Sequence, residues 1–270
     1  MMNRIKNSFN TLKEKGEMGV IPYLTAGFPS IQDTMDMVPA LAEGGADIIE
    51  LGVPFSDPLA DGTTIQRSSF QALSNGINLK KCLDICKDLR QNGLTTPLVL
   101  MGYYNPILRF GLKEFAISCK ENGVDGIIVP DLPFEEAQPL KTECRENEIS
   151  LIPLLAPTST DKRIEKTCKD ADGFIYCVSL TGVTGARQEM GSSLPEFINR
   201  VKRHAKVPIA IGFGISQRQH VESLSAIADA AVVGSALIDT IEKTPASDRR
   251  EVVKSFISEL KGGSQTGGTK

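Results

Sequence analysis

Short apolar runs alternate with amphipathic helical patterns eight times along this chain of 270 residues. Each run has the length of a strand and ends at turn residues, and each helical pattern carries an apolar stripe. Eight strands, each followed by a helix, are typical of a single (β/α)8 barrel, the TIM barrel. The predicted strands cover residues 20–24, 48–52, 98–101, 126–129, 150–154, 173–178, 208–211 and 230–233. The predicted helices include residues 31–43, 80–91, 113–121, 135–147, 160–168, 194–204, 217–224 and 249–260.

The connections between helices and strands also favour a barrel. Several helices end at Gly or Asn, followed by Ala or Val and then Asp, as at Asp47 and Asp125. This pattern predicts short loops at the bottom of the barrel. An extra N-terminal helix over residues 8–15 would close that end of the barrel. An open doubly wound sheet is the alternative, but no Gly-x-Gly-x-x-Gly follows the first strand. We expect one barrel domain over residues 1–261 and a disordered tail over 262–270.

The composition argues against several classes of protein. The 30 basic and 33 acidic side chains nearly balance, which gives no electrostatic basis for binding nucleic acid or an anionic membrane. No apolar run reaches the roughly 18 residues of a membrane helix, and the N-terminus lacks the apolar stretch of a signal peptide. The six cysteines show no metal-ligand spacing, which favours buried free thiols. We therefore expect a cytoplasmic protein without a bound metal.

Two carboxylates, Glu50 and Asp61, flank a Pro-rich turn after the second predicted strand. Strand alternation places Glu50 on the same side as Ile48. If that side faces the barrel interior, burial should raise the pKa of Glu50 and keep it protonated, while Asp61 in more polar surroundings stays ionised. Two carboxylates with separated pKa values indicate an acid and base pair. The alternative is a surface salt bridge for Glu50 and a turn or helix cap for Asp61.

Three glycine-rich segments follow the last predicted strands. Residues 179–194 form a long connection without periodicity, which predicts a mobile lid or, alternatively, an ordinary surface loop. GFG at 212–214 and GS at 234–235 expose backbone amides beside helix starts, which predicts a phosphate cradle rather than simple packing turns.

Apolar and aromatic side chains at the other strand ends could line a pocket for a flat ring. They are Tyr23, Tyr103, Tyr104, Leu132, Ile152, Tyr176 and Phe213. Together with the carboxylates and the cradle, they suggest a substrate with a phosphate at one end, a ring at the other and proton transfers near Glu50 and Asp61.

Five segments of this sequence closely resemble the α subunits of tryptophan synthase. They are IPYLTAGFP at 21–29, ELGVPFSDPLADG at 50–62, MGYYN at 101–105, GVTGA at 182–186 and GFGIS at 212–216. The similarity extends in order from about Phe9 to Ile241. It implies the reversible retro-aldol cleavage of indole-3-glycerol phosphate to indole and glyceraldehyde 3-phosphate, without a metal or bound organic cofactor in this chain.

The resemblance also implies residue roles. Glu50 corresponds to the general acid and base, Asp61 to the carboxylate that accepts the indole N–H, and Thr184 to the residue that bonds this Asp when the loop closes. Tyr176 is expected beside the reacting chain. The expected ring contacts are Tyr23, Met101, Tyr103 and Phe213. The expected phosphate-binding residues are Gly185, Gly214, Gly234 and Ser235.

Members of this family work as an αββα complex, in which indole passes through a tunnel to a β subunit that holds pyridoxal phosphate. The resemblance therefore implies a β partner for this chain. The expected contacts with it are Pro54, Phe55, Asp57, Pro58, Asn105, Pro106, Asp131 and Pro133.

One departure from the family pattern concerns the catalytic turn. Thr63 stands where the family usually has Pro, and the loss of a fixed φ could loosen the turn that positions Asp61. Two alternatives stay open from the sequence: a free-standing lyase that releases indole, and a non-catalytic barrel that only binds and activates its β partner.

Overall fold

The computed structural model describes residues 3–178, 190–212 and 214–263. Nine parallel strands are present in this part of the chain: β1 Gly19–Thr25, β2 Ile49–Gly52, β3 Leu98–Met101, β4 Gly126–Ile128, β5 Ser150–Ile152, β6 Leu154–Leu155, β7 Ile175–Val178, β8 Ile209–Gly212 and β9 Ala230–Val233. The helices are α1 Arg4–Lys15, α2 Ile31–Glu43, α3 Thr63–Ser74, α4 Leu79–Gln91, α5 Tyr104–Phe110, α6 Leu112–Glu121, α7 Gln138–Glu146, α8 Asp161–Asp170, α9 Met190–Lys202, α10 Arg218–Leu224, α11 Ser235–Lys243 and α12 Arg249–Lys261, with a 3-10 turn at Ala246–Asp248.

The strands pair in the order β5-β4-β3-β2-β1-β9-β8-β7-β6. β5 and β6 lie at the two ends of this order, yet only Pro153 separates them in sequence. The Pro153 carbonyl accepts the Tyr176 N–H at 2.9 Å, so the chain itself closes the ring between β5 and β7. The predicted (β/α)8 barrel is confirmed. The predicted strand 150–154 is in fact two short strands, because Pro153 lacks the N–H that a continuous ladder needs.

The helices differ from the predictions mainly at their ends. α1 begins at Arg4, where the Asn3 side chain caps it by accepting the Ile5 N–H. α7 begins three residues later than predicted, with Pro139 in its first turn. α5 was not predicted, because seven residues with Pro106 in the first turn leave little helical periodicity to detect.

The core has two layers. Inside the barrel, strand side chains such as Ile21, Ile48 and Val99 form one buried cluster, and Ile5 and Phe9 of α1 cover its lower end. Between the sheet and the outer helices lies a second, larger cluster that includes Ile49 and Leu51. The opposite faces of β2 are thus both buried, as expected for a parallel strand in a barrel.

The barrel bottom uses a repeated carboxylate contact. Asp47, Asp125 and Asp229 each accept the backbone N–H of a residue within the first two positions of a neighbouring strand. The donors are Val20 at 2.8 Å, Leu98 at 2.8 Å and Ile209 at 2.7 Å, respectively. Asp125 also forms salt bridges with Arg90 at 2.7 Å and with Arg4 at 2.9 Å. The Gly–Asp loops predicted from the sequence therefore lie at the bottom and tie adjacent strands together.

All six cysteines are buried and free, as predicted. Burial raises the pKa of the Cys86 and Cys144 thiols to about 12, because the thiolate would lose its solvation. These thiols are therefore protonated core side chains.

Candidate active site

A cavity of about 910 Å³ opens at the carboxyl ends of the strands. Eight of the predicted site residues line it: Tyr23, Glu50, Asp61, Met101, Tyr176, Gly214, Gly234 and Ser235. They come from positions that are far apart in sequence, and the barrel brings them together because all strand ends point to the same face. Thr184, Gly185 and Phe213 lie outside the described residues, as do residues 179–189 of the predicted lid. Residues 190–194, which were predicted to belong to this aperiodic connection, instead begin α9.

Glu50 lies on β2, and its side chain is buried with 1 % exposure. It shares the inner face of the strand with Ile48, as strand alternation predicts. Neither carboxylate oxygen has a hydrogen-bond partner among the described residues. Burial, followed by the nearby charge of Asp61, raises the pKa of Glu50 from 4.5 to about 8. At neutral pH the side chain is therefore mainly a protonated acid that can donate a proton into the cavity.

Asp61 lies in the loop before α3 and is held from two sides. The Tyr103 hydroxyl donates to its Oδ2 at 3.1 Å, and the Gln66 side chain donates to its backbone carbonyl at 2.9 Å. Burial raises the pKa of Asp61 to about 6, while the Tyr103 hydrogen bond lowers it. Asp61 is therefore mainly ionised at neutral pH, while Glu50 is mainly protonated.

A set of backbone amides faces the other side of the cavity. α11 begins at Ser235 with Gly234 as its N-cap, so its first N–H groups have no partner within the helix. Gly214 adopts a positive φ of 40°, and a β-carbon there would meet no atom of the described residues within 4 Å. The open backbone and the positive helix end are suited to an anion such as a phosphate.

Two tyrosines form the walls between these groups. Tyr23 on β1 leans over Gly52 of β2, and Tyr176 on β7 leans over Gly212 of β8. A β-carbon at either glycine would collide with the tyrosine hydroxyl. The two glycines thus allow both rings to lie against their neighbouring strands.

Tyr103 does not line the cavity. Its ring stacks on Phe55 at 5.1 Å, and its hydroxyl accepts the Ala60 N–H at 3.0 Å while donating to Asp61. It therefore supports the loop that carries Asp61. Leu132 and Ile152 were also expected in the pocket, but they line a separate adjoining cavity of about 150 Å³ below the loop that follows β4. Tyr104, in α5, packs against the outer core instead.

The residues predicted to contact a partner belong to two loops and to the first turn of α5, which are connected to one another. The Tyr104 N–H donates to Asp131 at 2.9 Å, and the stacked ring pair joins the Phe55 loop to the β3 loop. Asp57, Asn105, Asp131 and Pro133 are exposed, whereas Pro54 and Pro58 are buried. Leu59 at the tip is 93 % exposed.

Sequence reasoning missed part of the site. Thr158, Ser159, Thr160 and Arg163 line the cavity from the loop after β6 and the start of α8, and Asp239 lines it from α11. These residues follow no motif, and only their position at the strand ends could have indicated them.

The fold and the cavity together define a (β/α)8-barrel protein with two carboxylates at the carboxyl ends of its strands. The family model described as "Tryptophan synthase alpha chain" matches residues 9–264. The tryptophan synthase alpha chain of Roseiflexus castenholzii is 48% identical over 261 residues, which cover 97% of this chain and 100% of that relative. A protein of Saccharomyces cerevisiae named tryptophan synthase is 40% identical, over 98% of this chain and 38% of the yeast protein.

Solved structures agree. Tryptophan synthase subunit alpha of Legionella pneumophila superposes with a TM-score of 0.89 at 33% identity, covering 97% of this chain and 98% of that chain. A chain of the tryptophan synthase a2b2 complex of Pyrococcus furiosus superposes with a TM-score of 0.84 at 44% identity, covering 90% and 98%. This chain belongs to the family of tryptophan synthase alpha chains, which confirms the resemblance drawn from its motifs.

Proposed function

We propose that this chain cleaves indole-3-glycerol phosphate reversibly to indole and glyceraldehyde 3-phosphate, as the α subunit of tryptophan synthase. The observation that carries the proposal is the pairing, on one cavity, of an ionised Asp61 with a protonated Glu50 whose carboxyl oxygens have no hydrogen-bond partner among the described residues. The amides of Gly214, Gly234 and Ser235 across the cavity would bind the phosphate.

The proposed chemistry uses the two carboxylates in turn. Glu50 donates its proton to the indole carbon that bears the glycerol chain, and positive charge develops at the ring nitrogen. The Asp61 carboxylate accepts the hydrogen bond of that N–H and stabilises the charge. The Glu50 carboxylate then accepts the proton of the chain hydroxyl next to the ring. The carbon–carbon bond breaks, its electron pair returns to the ring, and Glu50 is again protonated.

The pKa values support a defined working range. The reaction needs Glu50 protonated and Asp61 ionised, and these states coexist between about pH 6 and about pH 8. We expect a bell-shaped rate profile with its maximum near neutrality.

Two substitutions test the assignment. Glu50→Gln and Asp61→Asn should each abolish cleavage, while binding of glyceraldehyde 3-phosphate, measured by calorimetry, should survive. Glu121→Gln, which changes an exposed carboxylate on α6, is the matched control and should keep full activity. Turnover close to wild type in either cavity variant would refute the proposed roles.

We further propose that the linked segments around Phe55, Asn105 and Asp131 contact a β subunit, which receives the indole. Strong activation of cleavage by added β subunit is expected, and Asp57→Ala or Leu59→Ala should weaken the association. High cleavage activity that does not respond to β would favour the free-standing lyase. Cleavage that stays undetectable in the assembled complex would favour a non-catalytic role.

No helix in the described ranges is long and apolar enough to cross a membrane. We propose a cytoplasmic location, which agrees with six free thiols in a reducing compartment. The division into one barrel domain over 1–261 and a disordered tail over 262–270 stays a prediction, since residues 264–270 lie outside the described part.

A further inference from the structure

Three hydroxyl groups form a hydrogen-bonded chain behind the cavity wall. The Tyr23 hydroxyl lies 3.3 Å from Thr25 Oγ1, which lies 2.6 Å from Ser68 Oγ. Ser68 Oγ in turn donates to the backbone carbonyl of Ile65 at 2.9 Å. Thr25 and Ser68 are fully buried, and Tyr23 is 8 % exposed.

One assignment uses every hydroxyl proton of these three residues. A carbonyl oxygen can only accept, so a Ser68 proton directed at Ile65 leaves Ser68 Oγ to accept from Thr25. Thr25 Oγ1 then accepts from Tyr23. In this assignment the phenolic proton of Tyr23 is directed into the protein and away from the cavity.

The chain connects three parts of the site. Tyr23 and Thr25 belong to β1, and Ser68 belongs to α3, the helix that begins two residues after Asp61. The strand-register partner of Tyr23 on β2 is Glu50. On the other side, a β-carbon at Gly234 would lie 3.5 Å from the β-carbon of Tyr23. The Tyr23 ring therefore stands between the acid and the phosphate cradle.

We propose that Thr25 and Ser68 are positioning residues, which hold the Tyr23 ring in place against the bound substrate and keep its proton away from Glu50. The inference rests on the proposed function, because it concerns alignment of that substrate between Glu50 and the cradle. Tyr23 then acts as a fixed wall and not as a second acid. A loosely held Tyr23 ring would misalign the bound substrate and slow the chemical step. Phosphate binding, which depends on backbone amides, would persist.

A double-mutant cycle tests this inference. Tyr23→Phe and Ser68→Ala should each lower kcat for cleavage about 5-fold, with KM for indole-3-glycerol phosphate within about 2-fold of wild type. Because both changes break the same chain, the double variant should be no slower than the slower single variant. Ser69→Ala is the matched control: it removes a buried hydroxyl from the same helix, where it accepts the Phe55 N–H at 3.0 Å. Its effect on kcat should multiply with that of Tyr23→Phe.

Thr25 provides an independent route to the same answer if Ser68→Ala does not fold. Thr25→Val removes the hydroxyl but keeps the shape and should reproduce the loss in kcat, whereas Thr25→Ser keeps the hydroxyl and should restore it. The inference would be overturned if the losses in kcat caused by Tyr23→Phe and Ser68→Ala multiplied in the double variant, or if Thr25→Val and Thr25→Ser were equally active. Either result would leave the proposed function intact. An inactive wild-type complex would refute the proposed function and this inference with it.

Discussion

Replacing Glu50 by Gln should abolish activity and make the protein more stable at alkaline pH. Glu50 is buried, and its two oxygens have no hydrogen-bond partner among the described residues, so its ionised form is unfavourable in the folded state. This cost is the physical origin of the rise in its pKa from 4.5 to about 8. Gln has nearly the same shape and never ionises.

The sign and size of the effect follow from proton linkage. Between pH 4.5 and about 8 the folded chain keeps the Glu50 proton, whereas the unfolded chain releases it, so wild-type stability decreases as the pH rises through this interval. At about 1.4 kcal/mol per pH unit, the loss reaches about 3 kcal/mol at pH 7 and about 5 kcal/mol above pH 8. Glu50→Gln does not ionise, so its free energy of unfolding does not decrease in this way. The variant should therefore match wild type near pH 4.5 and exceed it by several kcal/mol at pH 9.

Urea unfolding followed by circular dichroism at pH 5, 7 and 9 measures this difference, with melting temperatures at the same pH values as a second readout. Glu121→Gln is again the control, because it removes an exposed carboxylate of α6 that does not line the cavity. Wild-type and Glu50→Gln stabilities that run parallel from pH 5 to pH 9 would refute the reasoning.

Two further predictions concern the loop of Asp61. Tyr103→Phe removes the hydrogen bond that lowers the pKa of Asp61, so the pKa of Asp61 should rise. The acid limb of the rate profile should then move to higher pH, and activity at pH 6 should fall more than activity at pH 8. An equal change in rate at both pH values would contradict this prediction. Thr63→Pro should raise the free energy of unfolding by about 0.5–1 kcal/mol. Thr63 is the first residue of α3, where Pro is favoured, and Gly62 already has the extended φ of −73° and ψ of 166° that a following Pro requires. A melting temperature below that of wild type or of Thr63→Ala would show that the reasoning is wrong.

Much of the fold could be predicted because periodicity reports burial. The strands predicted at residues 98–101 and 230–233 match β3 and β9, because their apolar runs are bounded by turn residues. The division of the fifth strand at Pro153 and the short helix α5 were missed. Both depend on which backbone groups find partners in the folded barrel, and periodicity does not contain that information.

The candidate site was predicted unevenly. Glu50 could be recognised as an anomaly, because an ionisable residue in an apolar strand is costly without a function. Tyr103 was expected beside a ring, whereas its observed contacts are with Asp61, Ala60 and Phe55. No sequence signal indicated that Ser68 would reach Thr25, because the two residues are 43 positions apart and meet only when α3 packs against β1.

The sequence by itself determined the eightfold alternation, the face of β2 that carries Glu50 and the family, because these depend on local order along the chain. Tertiary structure alone decided the protonation states and the contacts between hydroxyl groups. Glu50 has a pKa of about 8 and Asp61 of about 6 because closure of the barrel removes water from both and places them on one cavity. The Tyr23, Thr25 and Ser68 hydroxyl groups meet because α3 packs against β1. Such properties depend on distance and solvation, which arise only when remote segments meet.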